Sequence, residues 1–177
     1  PSEPLELPPP LDMITIPAGP AWIGCDPKLD GPCPKGAARR RVNVRAFRID
    51  RTEVTVAAYR TCVAAGRCPT PARTPTWAGT TVGGARSECN WGQADRDDHP
   101  VNCLHYFHAE AYCVWRGQRI PSHGEWEKAA RGEARARPTG VYANLADVAH
   151  LQHFAANAAT WRGQERYDDG FALTAPV

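Results

Sequence analysis

A chain of 177 residues with 42% hydrophobic and 23% charged side chains has the length and balance of one ordinary globular domain, long enough to bury a core. Its formal charge of +2, with acids and bases interspersed, carries no nucleic-acid signature, and no stretch reaches the ~20 consecutive apolar residues of a membrane span. The 17 prolines and 15 glycines imply many turns and few long elements.

Residues 1–12, "PSEPLELPPPLD", are proline-rich and acidic and read as a linker, which leaves 13–177 as the domain. "MITIPAGPAWIG" alternates and then breaks on Pro17, Gly19 and Pro20, predicting a short strand and a turn. The basic run Arg39 to Arg41 reads as a solvated edge ahead of "RVNVRAFRID", a strand with Val42, Val44, Phe47 and Ile49 as its apolar set. In "TEVTVAAYRTCVAAG" Thr55 can cap a helix over 55–65, in which Val56, Tyr59 and Val63 recur at helical spacing and which Gly66 closes. Residues 67–102 are rich in Pro, Gly, Thr and Asp and read as loop. A second helix is predicted over 107–116, with Ala111, Val114 and Trp115 inward and Gly117 as its stop. "PSHGEWEKAARGE" predicts a third over 123–131: Ser122 and Glu125 have the spacing of a capping box, and Gly132 supplies the stop. Beyond residue 133 the sequence looks irregular.

Seven cysteines fall at 25, 33, 62, 68, 89, 103 and 113 with no CxxC among them, which argues against a closed structural zinc site. Spacing favours local disulfides: Cys25 with Cys33, Cys62 with Cys68, and Cys89 with Cys103. Six cysteines allow fifteen connectivities, so local pairing is a preference, and seven buried reduced thiols in a cytosolic protein are the alternative. Disulfides would place the chain in a secreted, periplasmic or cell-surface setting. Two H-x-x-H pairs, His105 with His108 and His150 with His153, lack a third ligand or an HExxH glutamate and read as ordinary core or surface histidines. The carboxylates of "DRDDHP" (Asp95 to Pro100) and "YDDG" (Tyr167 to Gly170) read, on composition alone, as solvated turns.

The segments "MITIPAGPAWIG", "FRIDRTEVTVAAY", "HPVNCLHYFHAEAYCVWRGQRIPSHGEWEKAARG" and "DDGFALTAPV" resemble, in that order, the signature segments of the formylglycine-generating enzyme family, the sulfatase-modifying factors. The third is the most specific, combining HPV, AYC, W-x-G-x-R and EWE-x-AARG. The resemblance implies an α+β, C-type-lectin-like fold, loop-rich, with two or three short helices on small twisted sheets and Trp126 in the core. Two departures, "PSHGEWE" for PTEAEWE and "CLHY" where relatives carry VSW, leave packing plausible. Relatives continue past "TAPV" with GNVWEW-like and RGGSW-like segments and a final GFR. The resemblance therefore runs from Met13 to Val177 and covers the N-terminal portion of such a domain.

What the resemblance implies for chemistry follows from that coverage. Family enzymes oxidise a substrate cysteine in a CxPxR-type motif with dioxygen and copper(I) bound by two late cysteines, soft thiolates being suited to that ion. None of the seven cysteines matches those positions, so no catalytic or copper-binding residue is assigned. Copper is expected only with a C-terminal catalytic part. The resemblance gives Cys113, in the AYC segment, a partner far downstream. It also implies a structural calcium ion held by the Asn144 side chain and Leu145 carbonyl of "YANL" and by the Asp169 side chain and Phe171 carbonyl of "DDGF", with Asp147 and Asp168 as the nearest alternatives. The expected partners are a complementary C-terminal segment or chain and a protein or peptide substrate. A non-catalytic binding module, or a structural domain of a secreted assembly, are the other readings.

Overall fold

The alternation in the first fifty residues changes phase between Val44 and Phe47. Val42 and Val44 are even-numbered, Phe47 and Ile49 odd, so one continuous strand would send the two pairs to opposite faces. In the computed structural model, which describes residues 12–30, 32–72, 76–77, 80–81, 89–131, 175 and 177, the chain breaks at Arg45 and Ala46 instead. The elements in chain order are β1 (Met13–Ile16), β2 (Gly19–Ile23), α1 (Pro27–Asp30), β3 (Arg40–Val44), β4 (Phe47–Asp50), α2 (Val56–Ala64), β5 (Thr76–Trp77), β6 (Thr80–Thr81), α3 (Tyr106–Trp115) and α4 (His123–Arg131). The architecture is α+β with small antiparallel sheets. The single strand predicted over "RVNVRAFRID" is thus two strands in two different sheets, and "MITIPAGPAWIG" likewise gives two.

The described residues form two compact units. The sheet unit draws on Leu11–Arg51 and Pro121–Pro138. Here β1 pairs β4 with Ile14 opposite Ile49 and Thr15 opposite Arg48, and Asp12, assigned to the linker, extends the ladder by accepting the Arg51 N–H at 2.9 Å. β2 pairs β3 with Ala21 opposite Val42 and Trp22 opposite Arg41. Ala21 and Ile23 are buried, whereas Trp22 points outward. Helix α4 covers the inner face: Gly124 lies so close that a Cβ there would meet Val44 and Ile23 at 3.8 and 3.9 Å. Its start is the capping box read from the sequence, with Glu125 Oε2 accepting the Ser122 N–H at 2.7 Å and Ser122 Oγ accepting the Glu125 N–H at 3.4 Å.

The buried face of α4 is not apolar. Glu127 and Lys128 are buried, while Trp126 is 58% exposed. The resemblance implied Trp126 in the core. At about 100° per residue it cannot share a face with Gly124 and Lys128, and the helix follows those two onto the sheet.

The helical unit draws on Thr52–Ile120 and the described residues of Thr139–Val177. Thr55 caps α2 by accepting the Ala58 N–H at 3.1 Å, and the Asp97 and His99 carbonyls accept the Ala57 and Val56 N–H groups, each at 2.9 Å. Tyr59, Cys62, Cys68 and Tyr112 form the core, with Val63, Ala111, Trp115 and Trp91 packed against them. The Tyr59 ring stacks on Tyr112 at 5.5 Å and takes Trp91 edge-on at 6.0 Å. Gly66 and Gly117 follow their helices at φ +66° and +69°, the left-handed stops read from the sequence. Val114, predicted to face inward, is exposed instead: Tyr112 and Trp115 occupy the core side of α3 and leave Val114 outside.

Three disulfides close, with the pairing that spacing favoured: Cys25–Cys33, Cys62–Cys68 and Cys89–Cys103. Cys62 and Cys89 are fully buried, so the bridges serve as core as well as cross-links.

Candidate functional site

Helix α3 carries the seventh cysteine, and its two sides differ sharply. Tyr112, Ala111 and Trp115 pack on the core. On the other side Phe107 and Val114, a helical repeat apart, are 74% and 67% exposed, with Tyr106 beside them at 61%. Cys113 lies between these sides, half-buried and outside the three disulfides. The Tyr106 hydroxyl donates to Glu110 Oε1 at 3.3 Å. That carboxylate holds the phenol above its usual range, with desolvation, the hydrogen bond itself and nearby Cys113 adding in the same direction. The Trp115 indole N–H is buried with no acceptor among the described residues. The Tyr59 hydroxyl, raised by burial, donates to the Pro69 carbonyl at 3.1 Å.

The histidine and aspartate motifs resolve into local structure. His105 and His108 stack at 5.6 Å, and His108 Nδ1 accepts the His105 N–H at 3.1 Å, so the pair closes the first turn of α3. Asp97 receives two hydrogen bonds from the Arg60 guanidinium, at 2.8 and 2.5 Å. That guanidinium keeps its carboxyl below the usual range. With its carbonyl on Ala57, Asp97 fastens the "DRDDHP" loop to the start of α2. Asp98 accepts the Val177 N–H through its carbonyl at 3.0 Å.

No group of three His, Cys, Asp or Glu side chains able to hold a metal occurs among the described residues. Six of the seven thiols are committed to disulfides, so the described donors do not fit a two-thiolate copper(I) site. The calcium candidates Asn144, Leu145, Asp169 and Phe171, their alternatives Asp147 and Asp168, and the pair His150 and His153 all lie outside the described residues.

Sequence reasoning missed a buried polar cluster on α4. Both Glu127 carboxylate oxygens accept the Gly24 N–H at 3.1 Å, His123 contacts the same carboxylate, and Arg131 approaches it at 3.5 Å. Lys128 Nζ donates to the Pro17 carbonyl at 2.6 Å and to that of Gly19 at 3.2 Å. Gly24 takes this place because a Cβ there would lie 2.8 Å from the Ala37 and Ala38 carbonyl oxygens, at φ +92°. The available signal was the i, i+4, i+8 series His123, Glu127, Arg131, which places three ionisable groups on one side of a helix. This cluster anchors; nothing in its geometry offers a reacting atom to a substrate.

Comparison with known proteins adds what the geometry lacks. The chain matches the family described as "Sulfatase-modifying factor enzyme 1-like domain" over residues 2–177. It is 30% identical to the bovine (Bos taurus) formylglycine-generating enzyme over 210 residues, covering 96% of this chain and 52% of that protein. A formylglycine-generating enzyme of Mycobacterium tuberculosis is 31% identical over 185 residues, covering 81% and 60%. The hercynine oxygenase of Mycolicibacterium thermoresistibile is 34% identical over 130 residues, covering 62% and 29%. The chain thus spans less than two thirds of each of these relatives.

Proposed function

This chain belongs to the sulfatase-modifying factor enzyme 1-like family, and from that premise we propose that it is the N-terminal portion of a formylglycine-generating-type domain with a C-type-lectin-like fold. Completed by a C-terminal segment or chain, the protein oxidises a cysteine of a partner polypeptide with dioxygen, and copper belongs to that added part. The observation that carries the reading is the family match across residues 2–177. The exposed Tyr106, Phe107 and Val114 on α3 support a complementary segment, since large apolar side chains left on the outer side of a helix are what a further layer of the domain would cover. The disulfides favour an oxidising compartment: secreted, periplasmic or cell-surface. A calcium ion at Asn144, Leu145, Asp169 and Phe171 is part of the same reading. Its removal by a chelator should lower the melting temperature by mass action, and an unchanged melting curve would refute it.

The assay is incubation with copper, oxygen and a CxPxR-containing peptide, read by mass spectrometry, using this chain and, separately, the product of the whole gene. Formylglycine made by the whole product and not by the chain supports the proposal. Conversion by the chain alone overturns the division of labour. Binding of the peptide without conversion by either favours the non-catalytic module. A parallel arm with hercynine tests the activity that the second group of relatives is named for.

A further inference from the structure

The chain's modest net charge conceals an imbalance between its units. Among described residues the sheet unit carries ten Lys and Arg against six Asp and Glu, and the helical unit five against five. Within the sheet unit Asp12 is taken by Arg51, Asp26 by Arg39, and Glu127 by Gly24, His123 and Arg131. Arg40, Arg41, Arg45 and Arg48 have no ion pair among the described residues.

Two of these arginines sit on β3, beside an exposed tryptophan. Trp22 is 40% exposed on the outer face of the β2–β3 sheet and lies directly opposite Arg41. Directly opposed residues share a face. The Arg39 guanidinium lies 4.4 Å from the centroid of the Trp22 ring, and Asp26 fixes that guanidinium at 2.7 Å. The indole is therefore oriented before any partner arrives, by a cation whose own charge is already matched. Asn43, also exposed, continues the face two residues beyond Arg41, ~6.6 Å along the strand. No strand among the described residues pairs the second edge of β3.

We propose that the outer face and second edge of β3 dock an extended acidic segment of a partner polypeptide. An extended peptide can continue the backbone ladder at the edge, as a nucleic acid cannot, and its alternate side chains fall on one face at the spacing of Arg41 and Asn43. An acidic residue at one of those alternate positions meets the unmatched Arg41, and a long side chain at another, on the same face, reaches across β3 to the preset indole. Basic side chains on an edge strand also deter pairing between like copies, which leaves the edge for a partner of opposite charge. The surface is separate from the proposed oxidation and stands whichever reaction the intact protein runs.

The test uses the full chain with its disulfides intact and a fluorescein-labelled peptide of alternating Glu and Thr, followed by anisotropy at low and moderate salt. Arg41→Glu and Trp22→Ala should each weaken binding by about tenfold or more, Arg41→Ala should weaken it less, and added salt should weaken it further. Circular dichroism of each variant checks that it is folded. Arg67→Glu, on the exposed surface of the helical unit, should change nothing. A peptide N-methylated at alternate residues, unable to complete the ladder, should bind more weakly than its parent. The proposal is overturned by absence of binding, by an equal effect of Arg67→Glu, or by an oligothymidylate of matched charge binding as tightly with the same dependence on Arg41.

Discussion

The two units are held together by opposite means. The helical unit closes short loops with two disulfides and fills its middle with stacked aromatic rings. The sheet unit joins segments more than a hundred residues apart, and the links that cross that separation are polar: Glu127 to Gly24, with |i−j| of 103, and Lys128 to Pro17, with |i−j| of 111. Apolar packing tolerates approximate geometry, whereas a buried charge stabilises only with its partners in place. The sheet unit should therefore be sensitive to single polar changes that the helical unit would ignore.

The largest effect should come from the aromatic core. Tyr59→Ala removes a fully buried ring stacked on Tyr112 and should cost ~3–5 kcal/mol in urea unfolding. A loss under ~1 kcal/mol would move the weight of the helical unit onto its disulfides. Lys128→Met keeps the length of the side chain but strands the Pro17 and Gly19 carbonyls, at a cost of ~2–3 kcal/mol. If Lys128→Met proves neutral, the sheet unit is held by its strands alone and the contrast fails. Ser122→Ala, which removes half of the capping box of α4, should cost ~1 kcal/mol and loosen the same unit from the helix end.

Acid should produce the smallest change, and it should reach both units. Asp97 and Asp26 are each held below the ordinary carboxylate range, by Arg60 in one unit and by Arg39, helped by the Lys28 N–H, in the other. A depressed folded value means that the stabilisation is present above the unfolded value and is lost as pH falls through the folded one. Asp97 is exposed and Asp26 only partly buried, so the effect is a slope, seen as urea midpoints that drift down below about pH 4. Asp97→Asn should flatten that limb for the helical unit and leave the sheet unit unchanged.

The same division explains what the sequence made legible. Thr55, Ser122 with Glu125, Gly66 and Gly117 act within a few residues of themselves, so the starts of α2 and α4 and the stops of α2 and α3 could be read, while the Gly132 stop lies outside the described residues. Short spacing exposed the disulfides for the same reason. Val114 was misplaced because hydrophobicity says that a side chain prefers burial, not whether its face is chosen, and Trp126 because the resemblance implied its burial without naming the face that α4 presents. Gly124 and Lys128 decide the face of α4, and Tyr112 with Trp115 decide that of α3. The partnership of Glu127 with Gly24 has no local trace, since each residue is unremarkable until the chain between them has folded. The phase change at Arg45 and Ala46 was present in the sequence, yet it becomes a strand break only because each half finds a different partner strand.

The sheet unit is interrupted in the chain by Thr52–Ile120 of the helical unit, and this fixes an order of events during synthesis. The β2–β3 pair leaves the ribosome well before residue 121, and its inner face waits through about seventy further residues for the helix that covers it. At ~5–20 residues per second that is several seconds of exposed sheet. The Cys25–Cys33 bridge can close early in that interval, since both its ends emerge with the strands themselves. The arginines of β3 then have a second role in time rather than in space, keeping an uncovered nascent sheet from pairing with its neighbours on the same message.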